Sequence, residues 1–292
     1  MPPIGVLVVH GMGRQERGFS QGLKEAVLTR LGAEAGGIAW QEVLWAPILE
    51  PRESALWDAM HEAQSPAGAS IRLDLGAIRR FVLHNFGDAT AYQRDTHAES
   101  AGVLVHQRVS NAIEELNDAL ADPAAPIVVL AHSLGGHIMS NYLWDRQHPR
   151  EDVPPGQPLA PIPALAGLIT FGCNIPLFAL AFRDAKPIDL PGEGITNPDV
   201  ADVVRWLNFL DKDDVLGWPL RPLYAKDLSA LTPAQRRTVE KIEDYEISVG
   251  GVLTGWTPAS HDQYWEDDDL AREVAEYLTA LREGGSRDRQ GP

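Results

Sequence analysis

The segment PIVVLAHSLGGHIMSNYL, residues 126–143, constrains the fold more than any other part of the chain. Ile127, Val128, Val129 and Leu130 form a continuous apolar run rich in β-branched residues, the pattern of a strand buried on both faces. The run stops at Ala131, His132, Ser133 and two glycines. A helical pattern follows, with Ile138, Met139, Tyr142 and Leu143 on one side. A buried strand passing through a tight turn into a helix is the building unit of a parallel sheet, whose neighbouring strands need crossover connections. Gly135 and Gly136 allow that helix to lie close to the strand.

The rest of the chain repeats this rhythm. IGVLVV (4–9) reads as a buried strand, and Leu23, Ala26, Val27 and Leu31 share one face of the helix after it. A second strand is expected over 38–47 and a long amphipathic helix over 98–120. Further strands are expected in ALAGLITFG (164–172) and VVRWLNFLD (203–211), and a last one in YEISVGGVL (245–253). A helix over 268–283 precedes a polar tail. Two longer connections interrupt the pattern. One, 47–96, carries Trp57, Met60, Ile78, Phe81, Val82, Leu83 and Phe86; the other, 147–163, is proline-rich and reads as a surface loop. With no internal repeat or low-complexity linker, the expected organisation is a single α/β domain over 1–284. A cap is inserted at about 47–96, and 285–292 form a flexible tail.

Composition narrows the function classes. A chain of 292 residues with 44% hydrophobic and 23% charged residues has enough apolar material for one sizeable core. A net charge of −16 opposes nucleic acid or an anionic membrane as main partner. The single cysteine, Cys173, excludes an intrachain disulfide and argues against a Cys-based zinc site. PALAGLITFGCNIPLFALAF (163–182) is about long enough to span a bilayer, but Gly172, Asn174 and Pro176 break its middle. It is expected to be a buried strand, a turn and a short apolar segment. No basic segment or cleavage-like site precedes the first apolar run, so no signal peptide is expected and the protein reads as cytoplasmic.

A serine hydroxyl attacks a carbonyl only when a base removes its proton in the transition state. Ala131-His132-Ser133-Leu134-Gly135 puts Ser133 between strand and helix, with small residues two before and two after it, where bulk would collide across the turn. The alternative is an ordinary turn with a solvent-facing serine. The attack creates an oxyanion, which needs two N–H donors already aimed at it. The Leu134 amide is one candidate, following the nucleophile directly. The second is Met12, in the HGMG turn after the first strand, where Gly11 and Gly13 free the backbone. A dinucleotide loop is excluded there, because the third glycine of its fingerprint would fall at Glu16. His10 is expected to shape that loop through hydrogen bonds.

If nucleophile, acid and base follow in that order along the chain, the base lies late. His261 in TPASHDQYWEDDDL sits just before the final helix and is the expected base; His132, His137 and His148 read as elbow or surface residues. NFLDKDDVLGWPL offers Asp211, Asp213 and Asp214 as the acid. Asp214 is the first choice because an ordered apolar stretch follows it, Asp213 is second, and Asp211 is expected to fix the loop.

Together VLVVHGMG, VVLAHSLGG, LITFGCNIPLF, NFLDKDDVLGWPL and SHDQYW resemble an α/β-hydrolase of the lipase/esterase type, in order, over about residues 4–283. The cap at 47–96 matches none of its motifs, and Ala131 replaces the usual first glycine, a variant such hydrolases accept. The resemblance implies the α/β-hydrolase fold, a mostly parallel central sheet with helices on both faces, lacking the extra N-terminal strands of larger relatives. It also implies a Ser–Asp–His hydrolase carried by Ser133, Asp214 and His261. The expected protein is thus a cofactor-free, metal-free serine hydrolase acting on a small-molecule or lipid ester or thioester. Apolar residues of the cap and of NIPLFALAF would line its acyl pocket. An acyltransferase on the same residues and a non-catalytic binding protein of this fold stand as alternatives.

Overall fold

The computed structural model describes residues 3–62, 76–92, 100–149, 159–181, 184–249 and 260–287. Six strands form one sheet: β1 (Ile4–Val9), β2 (Ile38–Val43), β3 (Ile127–His132), β4 (Leu165–Phe171), β5 (Trp206–Leu210) and β6 (Ile242–Glu246). Every neighbouring pair is parallel, and the order across the sheet is β2-β1-β3-β4-β5-β6. The continuous apolar runs occupy the middle: every residue of β1, β3 and β4 is buried. The more polar β2 and β6 take the edges, where one side of a strand is open to water.

The helices are α1 (Gln21–Leu31), α2 (Glu50–His61), α3 (Gly76–Ala91), α4 (Ala101–Leu120) and α5 (Leu134–Gln147), then α6 (Ile175–Ala179), α7 (Pro198–Val203), α8 (Arg221–Tyr224), α9 (Pro233–Glu240) and α10 (Asp268–Arg287). One helical layer joins α1, α7 and α10; the other joins α4 and α5 over β1, β2 and β3. Close approach depends on missing side chains at particular places. A Cβ on Gly167 of β4 would lie 2.5 Å from the Tyr277 hydroxyl of α10, which donates to the Ala166 carbonyl at 2.7 Å. Among the described residues no helix is long and apolar enough to cross a membrane, and residues 163–181 form β4, a turn and α6.

Three boundaries differ from expectation. The second strand ends at Val43, because the Trp45 and Ala46 amides donate to the His10 ring and cannot serve a ladder. The last strand is Ile242–Glu246, not 245–253. Its acidic residues hide it from a hydropathy reading, yet Asp244 accepts from the Leu220 and Arg221 amides and from Asn208, so the charge is spent inside the fold. Residues 250–253 of the expected strand lie outside the described residues. The closing helix reaches Arg287, and 288–292 lie outside them too. Of the 47–96 connection, α2 and α3 are described, whereas 63–75 and 93–96 are not.

From β1 the chain crosses to β2 on one side, and the later strands all build on the other. The order therefore reverses between β1 and β3. Ligands in open parallel sheets bind outside the carboxyl ends of strands at such a reversal. Residues 10–13 leave β1 and Ser133 leaves β3 at this crevice.

Candidate active site

Ser133 has φ 51° and ψ −122°; Ala121 is the other non-glycine residue with positive φ among the described residues. Such a backbone costs of order 1–3 kcal/mol and persists only where its surroundings impose it. They do: the Ser133 amide donates to the Phe171 carbonyl at 3.0 Å, which ties the elbow to β4. Ala131 is completely buried at this turn. Gly11 faces the elbow so closely that a Cβ on it would lie 2.7 Å from the Ser133 Cβ.

His261, on the 3-10 turn Ser260–Glu266, meets Ser133: its Nε2 is 2.6 Å from the Ser133 Oγ. Its Nδ1 is 2.8 Å from Asp214 Oδ2. An ionised carboxylate only accepts, so Nδ1 carries the proton and Nε2 is left to accept from the serine hydroxyl. All three side chains are buried. Burial alone would raise the Asp214 pKa. The hydrogen bond and charge of His261 outweigh it, joined by the Leu216 amide and the Tyr264 hydroxyl, and hold it below the usual carboxylate value. Gly172, with φ 56°, makes room for the imidazole, since a Cβ there would lie 3.0 Å from His261 Cε1.

The neighbouring aspartates separate clearly. Asp213 is exposed. Asp211 accepts from the Asp213 amide at 2.7 Å and from the Val249 amide at 2.6 Å, so it closes its own turn and anchors the segment leading toward His261.

The two amides expected to face an oxyanion both lie at this crevice. Leu134 is the first residue of α5, where the N–H has no intrahelical acceptor. Neither the Met12 nor the Leu134 N–H has a protein acceptor among the described residues, although both residues are buried. His10 shapes the loop rather than serving as a base. Its Nδ1 donates to the Gly11 carbonyl at 2.8 Å and its Nε2 accepts from the Trp45 amide at 3.1 Å. Burial pushes its pKa down to about 3, so it stays neutral.

Three further residues belong to the site, and no local pattern announces them. His132 Nε2 donates to the His261 carbonyl at 2.7 Å, joining the elbow to the main chain at His261; burial and the nearby His261 keep its pKa well below the ordinary value. Tyr264 donates to Asp214 Oδ2 at 3.0 Å and accepts from the Asp211 amide at 2.8 Å. Asn174 caps α6 without using its side chain, whose Nδ2 instead lies 3.4 Å from the Ser133 Oγ. His137 and His148 stack on Phe178 and Trp144. A cavity of about 490 Å³ lined by Asp202, Arg205, Glu243 and Glu276 touches none of the site residues. Among the described residues no group of His, Cys, Asp or Glu could hold a metal ion.

A parallel sheet that reverses between β1 and β3, a strained serine on the strand–helix turn, and a late histidine and aspartate on loops after β6 and β5 decide the fold. The described residues form an α/β core around a six-stranded parallel sheet. No family model matches it, and no curated protein does. Among solved structures it is similar to a novel cutinase-like protein from Cryptococcus sp., at 12% identity and TM-score 0.40, over 96% of this chain and 95% of that one. It is also similar to a soluble variant of monoglyceride lipase from Saccharomyces cerevisiae in complex with a substrate analogue. There the identity is 13% and the TM-score 0.39, over 94% of this chain and 87% of that one.

Proposed function

We propose that the protein is a serine hydrolase that cleaves a carboxylic ester, a lipid ester or thioester included, through an acyl-enzyme on Ser133. The observation that carries this reading is the buried hydrogen-bonded chain from Ser133 Oγ through His261 to Asp214, at 2.6 and 2.8 Å. Ser133 Oγ bonds to the acyl carbon as His261 Nε2 takes its proton, and the carbonyl electron pair moves onto oxygen. The Met12 and Leu134 N–H groups hold that oxyanion. Asp214 keeps the imidazole in the required tautomer and stabilises the imidazolium. Collapse expels the alcohol or thiol with the His261 proton. Water then loses a proton to His261 and adds to the acyl carbon; collapse frees the acid and returns the proton to Ser133.

Apolar surface at the same end of the sheet supports an acyl-binding role. Leu177 and Leu180 follow β4 at that end and stand exposed, as do Val82 and Phe86 of α3. We assign α2 and α3 to a cap over the crevice.

The reading is tested with p-nitrophenyl esters from short to long chain, on wild type and Ser133→Ala, and by labelling with a fluorophosphonate. Ser133→Ala should lose at least about 10³-fold in kcat and all labelling. Equal rates in the two proteins refute the reading. Adding an alcohol or thiol acceptor separates hydrolysis from acyl transfer by the product formed.

A further inference from the structure

Asp88 stands on α3, 75 residues along the chain from the loop that leaves β1, yet its Oδ2 accepts the Gly13 N–H at 2.7 Å. The residue is only 2% exposed. A buried carboxylate is costly unless bonded, and a charge-assisted bond to a backbone amide is stronger than a neutral one. Its location sets its consequence. The Gly11–Met12 peptide is trans, so its carbonyl and N–H point in opposite directions. His10 Nδ1 holds that carbonyl, which turns the Met12 N–H the other way. Asp88 holds the next peptide plane, Met12–Gly13, at a glycine whose φ of 89° favours no other residue. Both planes flanking the Met12 Cα are thus anchored, one from within the loop and one from α3.

A second tether runs to the neighbouring helix. Arg14 Nε pairs with Glu50 at 3.0 Å, and its guanidinium donates to the Ser54 hydroxyl at 2.9 Å, both on α2. The two helices pack together, and Glu53 of α2 is hydrogen-bonded to Asp88. Burial pushes the Glu53 carboxyl up.

We propose that Asp88 is a positioning residue for the oxyanion: presented by α3, it clamps the Met12–Gly13 peptide, so transition-state stabilisation depends on the α2–α3 pair being seated on the 10–14 loop. The inference rests on the assignment of Met12 as an oxyanion donor in the hydrolase reading above.

The test compares wild type, Asp88→Ala, Asp88→Asn and Arg14→Met, with rates expressed per site titrated by a fluorophosphonate, so that any misfolded fraction drops out. Asp88→Ala should lower kcat about 10- to 100-fold with KM nearly unchanged, and weaken a trifluoromethyl ketone inhibitor by the same factor. Asp88→Asn retains an acceptor and should stay within about threefold of wild type. Arg14→Met, which removes a half-exposed side chain and cuts only the α2 tether, should lower kcat about threefold. A purely structural role would reduce the titrated fraction and leave kcat per site and ketone affinity untouched. That result, or equal losses in Asp88→Ala and Asp88→Asn, overturns the role of Asp88 while labelled Ser133 keeps the hydrolase reading standing. Absence of labelling in wild type overturns both.

Discussion

Gly135 offers a sharp test of how packing sets the oxyanion geometry. A Cβ added there would lie 2.7 Å from the carbonyl oxygens of both Val9 and His10, and 3.1 Å from the Val9 carbonyl carbon. The two contacts with oxygen are about 0.7 Å inside the 3.4 Å at which ordinary contact begins. The obstacle is backbone at the end of a fully buried strand, so it cannot swing aside as a side chain would. In Gly135→Ala the first turn of α5 must therefore move away from β1 by several tenths of an ångström. Overpacking of this kind costs about 1–3 kcal/mol of stability. The same movement separates the Leu134 N–H, one residue earlier in that turn, from the Met12 loop. A displacement approaching 1 Å at a reacting group costs up to about 10²-fold, so kcat should fall about 10- to 100-fold. Gly136→Ala is the internal control. Its Cβ would meet Cys173 Sγ at 3.0 Å and Thr170 Cγ2 at 3.3 Å, longer contacts and with side chains rather than backbone. It should cost less than about 1 kcal/mol and leave kcat within about threefold. Urea unfolding and p-nitrophenyl ester kinetics measure both. Gly135→Ala with wild-type kcat and an unchanged unfolding midpoint would refute the reasoning.

Two other substitutions probe the support of His261. Asp214→Asn removes the anion facing Nδ1 and should lower kcat about 10³- to 10⁴-fold. Because the folded Asp214 pKa lies below its unfolded value, its contribution to stability is present above the usual carboxylate range and lost as pH falls through the lowered value. The stability gap between wild type and Asp214→Asn in urea should accordingly shrink on acidification below that range, and a gap that widens there contradicts the assignment. His132→Phe keeps a ring against Phe171 but removes the donor to the His261 carbonyl. A tenfold drop in kcat is expected, about 1.4 kcal/mol for one buried bond, with partial recovery in His132→Gln; unchanged kcat in the Phe variant would show that His132 does not position the base.

The parts of this molecule legible from sequence are those governed by local sterics and periodicity. Five of the strands, the long helix α4, the elbow at Ser133 and the glycine turn after β1 each carry their own signal, because strand burial and tight backbone turns restrict the residues allowed at each position. β6 was displaced in the sequence reading because its acidic residues are satisfied by amides and an asparagine from other elements. The tertiary structure decided everything that depends on direction across long separations. Three aspartates within four residues carry the same chemical signal. Only the fold turns Asp214 toward His261, directs Asp211 to backbone amides and leaves Asp213 in solvent. His132, Tyr264 and Asp88 act through partners 129, 50 and 75 residues away. Local pattern cannot specify such partners, because a hydrogen bond depends on where two groups meet in space and not on the residues beside either of them.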